Sequence, residues 1–137
     1  MSTPAPAVRR KRPARIVLGQ TMLVLEAFVV LFAALVAFGL RSAPAGAVWA
    51  VGGGLALLLL VLAGLQRPGW GSVAGTVAQV PVLACGMVVP MMFAVGGVFA
   101  VLWVATLRLG LRIDAERAVF DAAHPDAVEP ESPRRRH

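Results

Sequence analysis

Residues 71–109 read GSVAGTVAQVPVLACGMVVPMMFAVGGVFAVLWVATLRL, 39 residues with no charge before Arg108. As a single α-helix this stretch would be about 58 Å long, nearly twice a hydrocarbon core of about 30 Å. Two spans of about 18 residues fit it better. The break belongs at Met87–Met92. There Pro90 has no N–H to donate and biases Val89 away from helical geometry. A third span is therefore expected over Gly71–Val88 and a fourth over Met91–Leu109, joined by a very short turn that contains Pro90. Pro81 is expected to bend the third.

Two more apolar stretches lie upstream. Ile16–Leu40 is 25 residues with Glu26 as its one charge. Its helical length of about 37 Å spans the core with some tilt. Arg41, Ser42, Pro44 and Gly46 make a turn, and Ala47–Leu65 is the second span. Gln66, Arg67, Pro68, Gly69 and Trp70 break the chain again. Pro-Gly is a strong turn signal, and tryptophan suits a membrane interface. The expected fold class is an all-α membrane protein with four transmembrane helices in an antiparallel bundle.

Composition points the same way. The chain is 58% hydrophobic and 15% charged, against about 45–50% and about 25% in soluble domains. Between Ile16 and Leu107 only Glu26, Arg41 and Arg67 are charged. That is too few polar residues to give soluble helices their polar faces. Residues 1–15 are expected to be a disordered basic cytoplasmic tail. Residues 110–137 are expected to be a second cytoplasmic tail, with a short helix near Leu111–Phe120 and disorder beyond. With four spans, both tails and the 66–70 loop share a side carrying twelve of the thirteen Lys and Arg residues, and Arg41 stands alone opposite. Positive charge stays inside, so both termini are expected in the cytoplasm, with the chain in the bacterial inner (plasma) membrane. The net charge of +6 flanks the spans and sets topology, so nucleic acid is not an expected partner. The first apolar stretch exceeds the usual 7–15 residues of a signal h-region, so it is expected to remain as a span. No lipid anchor is expected, since neither end of the sequence reads as a lipidation motif.

Glu26 is the only acidic residue in these spans. An intramembrane carboxylate costs about 2.5–3.5 kcal/mol on insertion scales and turns toward a bundle interior or a cavity. One reading is a proton- or cation-linked site. The other is a neutral carboxylic acid hydrogen-bonded between helices. Gln79 is its expected partner. Both residues lie about 12–15 Å from the cytoplasmic start of their helices, 10 residues after Ile16 and 8 after Gly71. Trp103 enters from the same side on the fourth helix. Its indole N–H either donates to the pair or belongs to a packed aromatic. Gly71, Gly75 and Gln79 recur every fourth residue, a small-xxx-small face suited to close packing, and Gly96 and Ala100 repeat it. Gly52, Gly53 and Gly54 thin the second span.

No catalytic set is legible. The spans hold no histidine, and Cys85 has no base beside it in sequence. No glycine loop ends in Lys-Ser/Thr to cradle phosphate. One cysteine and two tail histidines give no zinc site, and Met87, Met91, Met92 and Phe93 read as packing. No cofactor is expected, and the sequence names no small-molecule substrate.

Several segments resemble one family. They are Leu23-Val24-Leu25-Glu26-Ala27, Gly75-x-x-x-Gln79, Val89-Pro90-Met91-Met92-Phe93, Phe99-Ala100-x-Leu102-Trp103 and Leu107-Arg108-Leu109-Gly110-x-Arg112-Ile113-Asp114. The resemblance runs over roughly residues 16–117, and Val89–Asp114 is its most specific part. The family is a set of small multi-pass membrane proteins of actinobacteria, catalogued as a domain of unknown function and often encoded beside folylpolyglutamate synthase. It implies an integral membrane protein and supplies no activity. Glu26 matches its first-helix glutamate without acquiring a role.

Two functions fit these observations. The first is a non-enzymatic accessory or assembly subunit that binds a membrane-protein partner or a second copy of itself within the bilayer. The alternative is a small dimeric proton-coupled transporter using Glu26. The second rests on architecture alone, since small multidrug transporters also have four helices and a glutamate in the first.

Overall fold

The computed structural model describes residues 12–125, so the outer parts of both expected tails lie outside the described residues. Four helices follow one another: α1 at Ala14–Gly39, α2 at Ala45–Gly64, α3 at Gly71–Ala84 and α4 at Met91–Ala123. A 3-10 turn extends α3 through Met87. There is no strand among the described residues. By length and composition α1, α2 and α4 can each cross a membrane, and α3 with its 3-10 turn is a shorter apolar helix. The 17 residues of Gly71–Met87 rise only about 25 Å.

The turns follow from local chemistry. α1 ends with Arg41 in the left-handed region at φ 51. There Arg41 N–H donates to Phe38 O (3.2 Å) and Ser42 N–H to Ala37 O (3.0 Å), the Schellman pairing that glycine usually supports. The next reversal uses Pro68 and then Gly69 at φ 100, where glycine removes the steric penalty. The third is the Pro90 turn, flanked by exposed Met87, Val88 and Met91.

α2 contains a π-helical segment at Trp49–Gly53. It lies where three glycines weaken ordinary helical preference. A Cβ on Gly52 would sit 2.5 Å from Ala34 Cβ of α1, so that glycine sets how closely α1 and α2 meet. α3 stays helical through Pro81.

Several boundaries differ from expectation. α1 and α2 each start two residues early, at Ala14 and Ala45, so Arg15 is helical rather than part of the tail and Gly46 lies in α2 rather than in the turn. The fourth span is expected over Met91–Leu109 with a short surface helix over Leu111–Phe120, and α4 runs unbroken through both for 33 residues, about 50 Å. Gly110 serves contact here rather than a turn. A Cβ on it would lie 2.5 Å from Arg15 Cα, so α4 passes against the backbone at the start of α1. Four residues on, Asp114 meets that helix end. Ala14 N–H donates to Asp114 Oδ1 (2.6 Å) and Arg15 N–H to Asp114 Oδ2 (3.3 Å). The residue before α1 is Pro13, whose side chain cannot cap. Asp114 therefore satisfies α1's first free N–H groups from another helix and places a negative charge at the positive end of the helix dipole.

α1 lies between α2 and α4, which do not meet each other, and α3 closes the group by touching all three. Short connections make successive helices antiparallel. The core joins Leu23, Ala27 and Val30 of α1 with Leu55 and Leu59 of α2, Val82 of α3 and Trp103 of α4. The outer surface is also apolar, with Phe32, Leu57, Val77, Val80 and Val101 all exposed.

Gly110→Ala is expected to destabilise the protein by about 1–3 kcal/mol, through overpacking against Arg15. Gly97→Ala meets no atom within 4 Å and is expected to leave stability unchanged or slightly raised. Asp114→Ala is expected to cost about 0.5–2 kcal/mol as a lost cap. Thermal unfolding of the three variants in one detergent tests this ordering.

Candidate functional site

The inward face of α1 is set by residues three or four apart: Gly19, Leu23, Glu26, Val30, Ala34 and Ala37 are all buried. On α3 the buried stripe is Gly71, Gly75, Ala78, Gln79 and Val82. The two stripes meet, and Gln79 Nε2 donates to Glu26 Oε2 at 2.8 Å. Glu26 is 1% exposed and Gln79 6%, so the bond lies out of contact with bulk solvent. Leu23, Leu59 and Val82, all nearly inaccessible, belong to the same core. The remaining oxygens, Glu26 Oε1 and Gln79 Oε1, are buried without a hydrogen-bond partner.

Trp103 lies in the same core, 1% exposed. Its ring fills the place a side chain at Gly75 would take, and a Cβ on Gly19 would meet its Cη2 at 3.5 Å. Gly19 precedes Glu26 by seven residues and Gly75 precedes Gln79 by four, so the indole closes the bundle between the polar pair and the Ala14 end. The indole N–H does not reach the pair. It donates to Thr76 Oγ1 at 3.0 Å, and Thr76 donates to Ser72 O at 2.7 Å. Closer to that end, Gln66 folds over the first turn of α3, and its Nε2 donates to Gly71 O at 3.1 Å.

The three sequence-selected residues, Glu26, Gln79 and Trp103, thus share one core, and two of them are directly bonded. Thr76, Gln66 and Asp114 are polar partners that the sequence reading did not select. A signal for Thr76 existed. It lies three residues before Gln79 and one after Gly75, so it borders the close-packing face. Asp114 had no such signal, because its partner is backbone N–H. Among the described residues no three His, Cys, Asp or Glu side chains come together to hold a metal ion. The two grooves nearest to pockets are open surface features. One is lined by Ser72, Val73, Thr76 and Val77, the other by the end of α4 from Ala115 to Ala123 together with His124.

Residues 16–119 match the model of a family described as Protein of unknown function (DUF4233). The chain belongs to this family. The match spans all four helices and takes in Glu26, Gln79, Trp103 and Asp114. No curated protein and no solved structure matches the chain. For this DUF4233 protein the arrangement itself is the source of functional inference: a buried acid–amide pair, an indole beside it, and a long terminal helix clasped to the start of the first.

Gln79→Leu removes the donor to a buried carboxyl and is expected to cost about 1–3 kcal/mol. Thr76→Val keeps the shape but strands the Trp103 N–H, whereas Thr76→Ser keeps the acceptor. The valine variant is expected to unfold at lower temperature than the serine variant, read by intrinsic tryptophan fluorescence.

Proposed function

We propose that this protein is a non-enzymatic accessory or assembly subunit of an actinobacterial plasma membrane, crossing it four times with both termini in the cytoplasm. The carrying observation is the far part of α4. It continues past the contact with α1, is anchored there by Asp114, and leaves Val119 and Phe120 72% and 54% exposed. An arm fixed at its base and apolar along its side suits attachment to a protein partner. The four-span arrangement draws support from the same bond. Ala14 and Asp114 lie together, so α1 begins at the end where α4 leaves the bundle, as an even number of crossings requires. The positive-charge asymmetry assigns that end to the cytoplasm.

The shorter α3 is the fourth crossing. Its apolar tip at Met87 and Val88, beside Met91 at the start of α4, sits in the outer leaflet, about 5 Å short of a full core, a mismatch the bilayer accommodates by local thinning. Glu26 favours the second reading, a small dimeric proton-coupled transporter, because an intramembrane acid marks ion pathways. The Trp103–Thr76–Ser72 chain argues against it on that side, since an indole N–H donates but does not accept a proton and so cannot relay one.

Reporter fusions are expected to place residues after Ala123 in the cytoplasm. In a Cys85→Ser background, Ser42→Cys is expected to react with an impermeant maleimide from outside. Affinity purification from native membranes is expected to return a reproducible membrane-protein partner, and Val119→Glu with Phe120→Glu is expected to lose it at normal abundance. Reconstituted vesicles with an internal pH dye are expected to show equal proton flux for the native protein and Glu26→Gln. A flux that depends on Glu26 would establish the transporter instead.

A further inference from the structure

The two orphaned oxygens at the centre of the bundle have a common solution. Gln79 spends one N–H on Glu26 Oε2. What remains, Glu26 Oε1 and Gln79 Oε1, is two buried acceptors, each without a hydrogen-bond partner, on side chains already joined by that bond. An unpaired buried acceptor forfeits its hydration without compensation, and a bare carboxylate in this setting forfeits more. The donors on the surrounding helices are committed elsewhere. Trp103 donates to Thr76, Thr76 to Ser72 O, and Thr21 to Val17 O. Helical N–H groups are held by their own carbonyls.

We infer that the Glu26–Gln79 pair is a proton-binding site, in which one proton held on Glu26 Oε1 is donated to Gln79 Oε1. The carboxylic acid and the amide then make two antiparallel hydrogen bonds, and a single proton satisfies both orphaned atoms. The site ties α1 to α3 across the middle of the bundle, so the bound proton is part of the helix packing. Raising the pH removes it, leaving a carboxylate against an amide oxygen, and stability falls.

The other ionisable groups facing this core are few. α2 contributes none, Cys85 after α3 packs partly against it, and α4 contributes none before Arg108. Arg15 and Asp114 lie at the Ala14 end. A sodium or potassium ion held by the same two oxygens is the competing occupant.

The Glu26→Gln substitution separates these cases, because the amide reproduces both hydrogen bonds without an ionisable group. The test compares Cys85→Ser with Cys85→Ser/Glu26→Gln as full chains in detergent, with Cys85 removed so that its thiol does not titrate. Thermal unfolding by tryptophan fluorescence is followed from neutral to alkaline pH, in sodium, potassium and choline chloride at equal ionic strength. Infrared difference spectra provide a second readout. The expected result is a melting temperature that falls with pH for the protein that keeps Glu26 and stays level for the Glu26→Gln variant, the same in all three salts. A protonated-carboxyl C=O band is expected at neutral pH in the first protein only. A level profile for the protein that keeps Glu26 would overturn the proposal, as would the absence of that band. Stabilisation by sodium or potassium over choline would also overturn it and assign the site to a cation. If Glu26→Gln fails to fold, the carboxyl band and the salt comparison in the protein that keeps Glu26 decide alone.

Discussion

The surface of this bundle is as apolar as its interior, and that constraint governs the rest of the structure. In a soluble protein, burying an apolar stripe chooses the neighbour for each helix. In hydrocarbon that force is absent, and helices select partners by close fit and by the few hydrogen bonds available. Every contact that α1 makes, and the α3–α4 contact, shows one or the other. Gly52 admits Ala34, Gly75 admits the Trp103 ring, and Gly110 admits the backbone at Arg15. Polar bonds also set register: Gln79 to Glu26 between α3 and α1, and, beside the glycine contacts at Gly75 and Gly110, Trp103 to Thr76 between α4 and α3 and Asp114 to the first turn of α1.

These polar contacts are unevenly placed. From Asp114 through Gln66 and Thr76 to Glu26 they occupy the half of the bundle nearer the Ala14 end. Beyond Glu26 the α1–α2 contact continues through small residues, Ala34 and Ala37 against Gly52 and Val48. One end is therefore fixed by directional bonds and the other by shape. The α4 arm leaves from the fixed end, where a rigid base suits attachment to a partner. The proton-binding pair marks the inner limit of that end, so a change in its protonation would reach α1 and α3 without an intervening mobile segment.

The meeting of Glu26 and Gln79 was legible because two facts coincide in one dimension. Each is the main polar residue of an apolar stretch, and each lies a similar number of residues from the same end of the bundle. Depth along a helix is a count of residues, and sequence supplies counts directly. The Trp103 partner was harder, since choosing between the pair and Thr76 needs the rotation of α4 about its axis, to which an apolar helix gives no guide. The role of Gly110 was hidden for a related reason: it is the residue that lets α4 pass closely against the start of α1, a contact that no pattern within α4 announces.

Sequence alone determined that the chain is helical, apolar enough for a bilayer, divided at Arg41, Pro68 and Pro90, and strongly asymmetric in positive charge. These properties are local or additive, so they survive without knowledge of packing. Tertiary structure decided which donor meets which acceptor. It gave Asp114 to the start of α1, Trp103 to Thr76, and left Glu26 Oε1 and Gln79 Oε1 buried without a partner. Those outcomes depend on helix rotation and on approaches of a few ångströms between residues as far apart as Ala14 and Asp114, which no periodicity within a single helix encodes.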